Sequence, residues 1–116
     1  MKRNLKIAAL AAIAAANPEG FTVDAKTLQP ITSGYAVAVK ITQNCFNAEG
    51  LAAVVDYAAT DSEVTAFGGW LDSETGLYYY DAVVITDSFE RAKALAEREE
   101  QIAFFSLNEM KEYRIK

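Results

Sequence analysis

The side chains that most often carry chemistry are nearly absent from this chain. It has no histidine, which removes the commonest general base and metal ligand together with the Ser-His and Cys-His nucleophile arrangements. Its single cysteine, Cys45, precedes a predicted helix start, where a thiol pKa can fall, but no basic residue lies near it in the sequence. We therefore interpret Cys45 as a packed side chain. One cysteine forms no intrachain disulfide, which favours a reducing compartment.

Carboxylates are the remaining candidates for catalysis. Asp56, Asp81 and Asp87 could in principle meet, and a pair of acids can hydrolyse glycosides, but nothing in their spacing requires a meeting. Asp81 stands among apolar strand residues, so we interpret it as a hydrogen-bonded structural aspartate, with a functional acid as the alternative. The pair Gly68-Gly69 lacks the further glycines and the lysine of a phosphate loop. The sequence thus predicts no catalytic residue, no metal site and no cofactor, with a carboxylate-only enzyme as an alternative.

The strongest candidate surface is a hairpin over residues 67–81, whose two faces both look apolar. Its tip, residues 72–76, has the short polar residues and final glycine of a tight turn. If Leu71 lies opposite Leu77, Gly68 lies opposite Tyr80 and Gly69 opposite Tyr79. This register predicts that one face, the better core candidate, carries Phe67, Leu71, Leu77, Tyr79, Val83 and Ile85.

In the same register Trp70, Tyr78 and Tyr80 form an aromatic cluster on the opposite face. Cover by the alanine-rich first helix would explain it. Contact with a protein partner or a second copy of the chain would also explain it, because Trp and Tyr are enriched at interface centres and large apolar patches are otherwise avoided. These three residues are the predicted protein-contact site.

Helix and strand signals alternate along the chain that must position these residues. They predict helices from about 4 to 16, from Asn47 and from Asp87, with Asp87 and Glu90 as a capping box and Phe46 stapled to Leu51. The predicted core faces of the helices are Leu5, Ala9, Ala12, Ile13 and Ala16; Leu51, Val54, Val55 and Ala58; and Phe89, Ala92, Leu95 and Ala96. Strands are predicted at 21–24, 35–41, along both arms of the hairpin, at 102–107 and at 111–115. We therefore predict one α+β domain over residues 1–116, with three helices, a mainly antiparallel sheet of five to six strands, and the order α-β-β-α-β-β-α-β-β.

Residues 1–16 allow a second interpretation. A basic start, an apolar run over 7–16 and an Ala14-x-Ala16 site match a secretory signal peptide, which would make the protein secreted or periplasmic. Lys6 interrupts the start of the run, and the lone cysteine gives no sign of an oxidising compartment, so we expect a packed first helix and a cytoplasmic protein. The run is too short to span a membrane.

The net charge of the chain limits the classes of partner that it is expected to bind. The formal net charge is −5, and the pI near 4.7 disfavours binding to nucleic-acid backbones. An acidic protein that imitates DNA is an alternative function, but acids and bases are interspersed over 90–100, as on a solvated helix face.

Several short segments have patterns specific enough to compare with known proteins. They are Gly20-Phe-Thr-Val-Asp24, Gln29-Pro30, Thr32-Ser-Gly-Tyr-Ala-Val-Ala38, Gly68-Gly-Trp-Leu71, Tyr78-Tyr-Tyr-Asp81 and Glu100-Gln-Ile-Ala-Phe-Phe105. Together they resemble small uncharacterised proteins of phages and conjugative elements of Bacteroidota, and parts of the polyvalent proteins of mobile elements. The resemblance covers residues 18–116 and implies a cytoplasmic accessory protein without a known reaction. We thus expect a non-enzymatic protein-interaction module that binds another protein or forms a homodimer.

Overall fold

A six-stranded antiparallel sheet organises residues 1–116, all of which the computed structural model describes. The sheet order is β1-β3-β4-β2-β5-β6, and every neighbouring pair is antiparallel. The strands are β1 (Phe21–Asp24), β2 (Tyr35–Ala38), β3 (Ala66–Leu71), β4 (Tyr78–Thr86), β5 (Ala103–Ser106) and β6 (Lys111–Arg114). The helices are α1 (Arg3–Ala16), α2 (Asn47–Ala58) and α3 (Phe89–Arg98), with a short 3-10 turn at Lys40–Thr42. The predicted α+β class and element order are confirmed.

All three helices contribute to one core on one face of the sheet. The strand residues of this core all point to the same side, as the strand pairing requires: Val23, Val37, Phe67, Tyr80, Ala82, Val84 and Phe104. The other face of the sheet carries no helix from this core, and we call it the open face. Because a strand alternates between faces, every second residue of β3 and β4 is presented there.

The predicted core face is confirmed for α2, confirmed for α3 except at Phe89, and only partly right for α1. Leu51, Val54 and Val55 of α2 are buried, as are Ala92, Leu95 and Ala96 of α3, and Ala58 is half-buried. In α1 the predicted Ala9 and Ile13 are half-buried against the core, whereas Leu5, Ala12 and Ala16 are exposed, Leu5 by 62%. The fully buried residues of α1 are Leu10 and Ala14, which its spacing did not predict. An alanine-rich helix has almost no difference in hydrophobicity between its sides, so its sequence does not say which side packs.

Phe89 is exposed rather than buried. Its ring packs edge-to-face against Tyr35 and Phe104 at centroid distances of 5.7 and 5.3 Å. The start of α3 is also displaced by one residue from the prediction. Ser88 is the N-cap, and its hydroxyl accepts a hydrogen bond of 3.1 Å from the Arg91 backbone N–H.

The predicted cap and staple of α2 are wrong. Asn47 adopts φ 55° as the first residue of the helix, and its side-chain oxygen accepts from the Tyr78 backbone N–H at 3.4 Å. Phe46 bridges to Tyr79, whose side chain is on the open face, away from the core that buries Leu51. The entry into α2 is therefore set by contact with β4 rather than by a local capping motif.

The hairpin register is shifted by one residue from the prediction. Leu71 pairs with Tyr78, Gly69 with Tyr80 and Gly68 with Asp81. The cause lies in the tip, where the Asp72 backbone N–H donates to the Leu77 carbonyl at 2.9 Å, which makes Asp72 a paired residue. Since strand side chains alternate between faces, this single step exchanges the two predicted faces of β4.

Candidate functional site

The open face contains a groove of about 690 Å³. Its floor is made of small residues from three adjacent strands, Ala36 and Ala38 of β2, Gly68 of β3, and Val83 of β4. Because these side chains are short, the middle of the sheet lies lower than its surroundings. We call this cavity the open-face groove.

Two chain segments form the sides of the open-face groove. Residues 28–32 fold along the edge of β1, where the Ile31 N–H donates to the Thr22 carbonyl at 3.0 Å. Phe105, Leu107 and Met110 form the other side, and the Leu107 N–H anchors it by donating to the Gly34 carbonyl at 2.9 Å. Both sides are thus held by backbone hydrogen bonds to the sheet or to the loop beside it.

An aromatic cluster of Phe46, Trp70 and Tyr79 lies on the same face. The rings of Trp70 and Tyr79 stack at a centroid distance of 5.1 Å with an interplanar angle of 18°, because these residues are direct partners in the β3–β4 pair. Phe46 meets Tyr79 edge-on at 5.7 Å. Trp70 remains 47% exposed and Phe46 42% exposed. The cluster therefore presents an apolar aromatic surface to solvent.

Asp81 lies in the open-face groove next to this cluster. It is half-buried opposite Gly68, and its carboxylate forms no hydrogen bond or ion pair with another residue. Burial alone raises the pKa of Asp81 to about 6, because the surroundings solvate the charged form poorly. The interpretation of Asp81 as a hydrogen-bonded structural aspartate is wrong.

The charged residues that line the open-face groove are both acidic. They are Asp81 and Glu19, and the lining includes no lysine or arginine. A carboxylate in an apolar cavity attracts a cation, since an ion partner removes part of the cost of its desolvation. The groove can accordingly bind a positively charged group flanked by apolar surface.

The predicted contact residues do not form one surface. Trp70 is on the open face, whereas Tyr80 is only 6% exposed and lies in the core among the helices. Tyr78 is on the same side as Tyr80 and packs against Phe21 at 6.2 Å. Cover by the chain itself therefore explains the two tyrosines but not the tryptophan. Sequence reasoning missed Tyr79 and Phe46, and the pairing potential of Asp72 at the tip was the signal that could have placed Tyr79 correctly.

The three acids considered for catalysis are not brought together. Asp56 pairs with Arg3 at 2.6 Å on the helix side, which lowers the pKa of this carboxyl through a hydrogen bond with the guanidinium. Asp87 is exposed just before α3.

Cys45 is half-buried, and burial, followed by the charge of Asp81, raises the pKa of its thiol. No group of three or more potential metal-ligating His, Cys, Asp or Glu side chains is present.

No protein-family model matches the sequence, and comparisons with curated proteins and with solved structures find no significant match. None of the helices has both the length and the apolar character needed to cross a membrane.

Proposed function

We propose that this protein is a non-enzymatic, cytoplasmic interaction module that docks a partner protein on the open face of its sheet. The observation that carries the proposal is the exposed aromatic cluster of Phe46, Trp70 and Tyr79 beside the open-face groove. The resemblance to small proteins of Bacteroidota phages and conjugative elements supports a role as an accessory protein of a mobile element.

The exposed apolar area supports docking over a merely structural role. Trp70 of the cluster lines the groove, and so does Met110, which is 74% exposed. Large apolar patches exposed to water are unfavourable and are usually avoided in proteins that function as monomers. At the centre of an interface, by contrast, Trp and Tyr contribute much of the binding energy.

Charge favours a different protein over a second copy of this chain. Two copies docked face to face would bring Asp81 and Glu19 of each molecule close to the same groups of the other, and like charges in an interface oppose association. The net charge of −5 adds long-range repulsion between copies. A basic partner would experience neither the like-charge contacts in the interface nor the long-range repulsion.

The acidic DNA mimic receives less support from the surface. A mimic needs carboxylates arrayed without neighbouring cations, but Asp56, Glu63 and Glu100 each form an ion pair with a lysine or arginine. The charge of these three acids is therefore compensated locally by a neighbouring cation.

Site-specific photo-crosslinking tests the proposed docking face. A benzophenone amino acid placed at position 110, where Met110 is exposed beside the open-face groove, should give a discrete adduct with one protein in a lysate of a natural host. The matched control carries the same group at position 97, which is exposed on α3. An excess of unlabelled wild-type protein should suppress the adduct, and an excess of Trp70→Ala should not. Equal adducts from positions 110 and 97, or none from position 110, would refute docking on the open face.

A further inference from the structure

We propose that the open-face groove binds an arginine side chain of the partner protein, with the guanidinium paired to Asp81 and stacked on the aromatic cluster. The inference rests on the proposed function and specifies the chemistry of the partner segment. That segment carries one arginine flanked by apolar residues.

Access to Asp81 depends on the residue paired with it. Gly68 is directly opposite Asp81 and has no side chain, so the space in front of the carboxylate is not filled from β3. A Cβ at position 68 would have only Val83 Cγ2 and the Phe21 carbonyl oxygen within 4 Å, at 3.3 and 3.6 Å, so Val83 bounds this space on one side and no atom of Asp81 fills it. An incoming side chain therefore reaches the carboxylate over Gly68.

The charge of Asp81 has no partner within the chain. The ion pairs of the molecule involve other acids, among them Asp56, Glu63 and Glu100, and the groove is lined by no cation. A half-buried carboxylate without a counter-ion is unfavourable, and the raised pKa of Asp81 expresses this cost. A bound cation would remove the cost, so the groove is electrostatically complementary to one.

The neighbouring rings favour arginine over lysine. Tyr79 is two residues before Asp81 on the same face of β4, and Trp70 stacks on Tyr79 from β3. A guanidinium is planar, pairs with a carboxylate through two parallel hydrogen bonds and stacks on aromatic faces, whereas an ammonium group acts as a point charge. The exposed Trp70 and Met110 flank the groove and would stay uncovered around a small free cation. A longer chain that carries the arginine would cover both.

Selection from a displayed library of random 12-residue peptides tests the inference, with the folded wild-type protein as bait. We expect the enriched peptides to share an arginine flanked by apolar residues. Loss of a charge-assisted pair should weaken their binding about tenfold or more in Asp81→Asn, and Trp70→Ala should weaken it too. The control Glu97→Gln removes an exposed acid of α3 and should bind like the wild type. Circular dichroism of each variant verifies the fold.

The outcomes separate the inference from the function on which it rests. One outcome is that the selected peptides lack arginine, bind the Asp81→Asn protein like the wild type and fail to bind the Trp70→Ala protein. This result would overturn the arginine pairing but leave the proposed docking face supported. Binding that neither substitution affects would overturn both. If arginine methyl ester alone bound as tightly as the selected peptides, the groove would be a site for small cations, and the inferred protein segment would be wrong.

Discussion

The hydroxyl of Tyr78 donates a hydrogen bond of 2.7 Å to the carbonyl oxygen of Asn17, which joins the second strand of the hairpin to the end of α1. Asn17 also ends the helix, since its side-chain amide donates to the Ile13 carbonyl at 2.8 Å and its backbone N–H to the Ala14 carbonyl at 3.1 Å. One residue thus terminates α1 and holds β4 beneath it. This contact keeps Tyr78 on the helix side and leaves Trp70 on the open face.

Tyr78→Phe should lower the free energy of unfolding by about 1 kcal/mol, because it leaves the Asn17 carbonyl without this donor. Burial raises the pKa of Tyr78 to about 12. A spectrophotometric titration of the wild type should therefore contain one tyrosine that ionises near that pH, and the variant should lack it. Urea denaturation measures the stability. Equal stability of the two proteins, together with loss of a tyrosine that ionises near pH 10 rather than near pH 12, would contradict the buried, hydrogen-bonded hydroxyl.

Tyr80→Ala should lower the free energy of unfolding much more than Trp70→Ala. Tyr80 is buried in the core, so its truncation should cost about 3 to 5 kcal/mol in free energy of unfolding. Trp70 is half in solvent, and loss of its stacking on Tyr79 should cost only about 1 kcal/mol. Guanidinium denaturation of both variants checks this. A more severe loss in Trp70→Ala would place the indole in the core instead.

Gly69→Ala should destabilise the protein by about 1 to 3 kcal/mol, since a Cβ there enters occupied space. It would be 2.4 Å from Phe21 Cε1 and 2.8 Å from Tyr78 Cε1. The adjacent Gly68→Ala is the control, because its Cβ would come no nearer than 3.3 Å to its closest neighbour, Val83 Cγ2. Thermal unfolding of the pair should rank Gly69→Ala clearly below Gly68→Ala. The reverse ranking would mean that the observed hairpin register is wrong.

Gly50→Ala should be destabilising by about 2 kcal/mol or more, although glycine-to-alanine changes within helices usually stabilise by about 1 kcal/mol. A Cβ at position 50 would be 2.4 Å from the carbonyl carbon of Cys45, and this backbone atom has little freedom to move. Ala53→Gly, at an exposed position of the same helix, should show the ordinary cost of about 1 kcal/mol. Chemical denaturation compares the two. A stabilised Gly50→Ala would show that α2 does not pack closely on Cys45.

Asp81→Asn should stabilise the protein at neutral pH and not at pH 4. The pKa of Asp81 is about 6 in the folded protein, above its ordinary value of 3.8, so the native state holds this proton more tightly than the unfolded chain. The contribution of Asp81 to stability is therefore lost as the pH rises from about 4 through about 6. The gain in free energy of unfolding should grow from near zero to about 2 kcal/mol over that range.

Subtracting the wild-type curve from the Asp81→Asn curve cancels the titration of the other carboxylates, such as Asp56, which the two proteins share. The comparison therefore isolates Asp81. A difference that does not change between pH 4 and pH 7 would show that the carboxylate is better solvated than its position in the groove implies.

Local signals in the sequence were enough to predict the helices, the strands and their order. The α2 pattern of Leu51, Val54 and Val55, the hairpin tip near Gly76 and the proline after Asn17 each act over a few residues, so no distant contact is needed to interpret them. The isolation of Asp81 among apolar residues was also visible in the sequence, although its lack of a partner was not.

The sequence by itself determined an α+β domain with an aromatic hairpin at its centre, because helical and strand periodicities are local properties. Only the tertiary structure decided which aromatic residues face solvent. When both faces of a strand are apolar, a shift of one residue leaves the hydrophobic pattern unchanged and moves every side chain to the other face. The pairing of Asp72 with Leu77 and the bond from Tyr78 to Asn17 lie beyond that local pattern, and they hold Tyr80 inside and Trp70 outside.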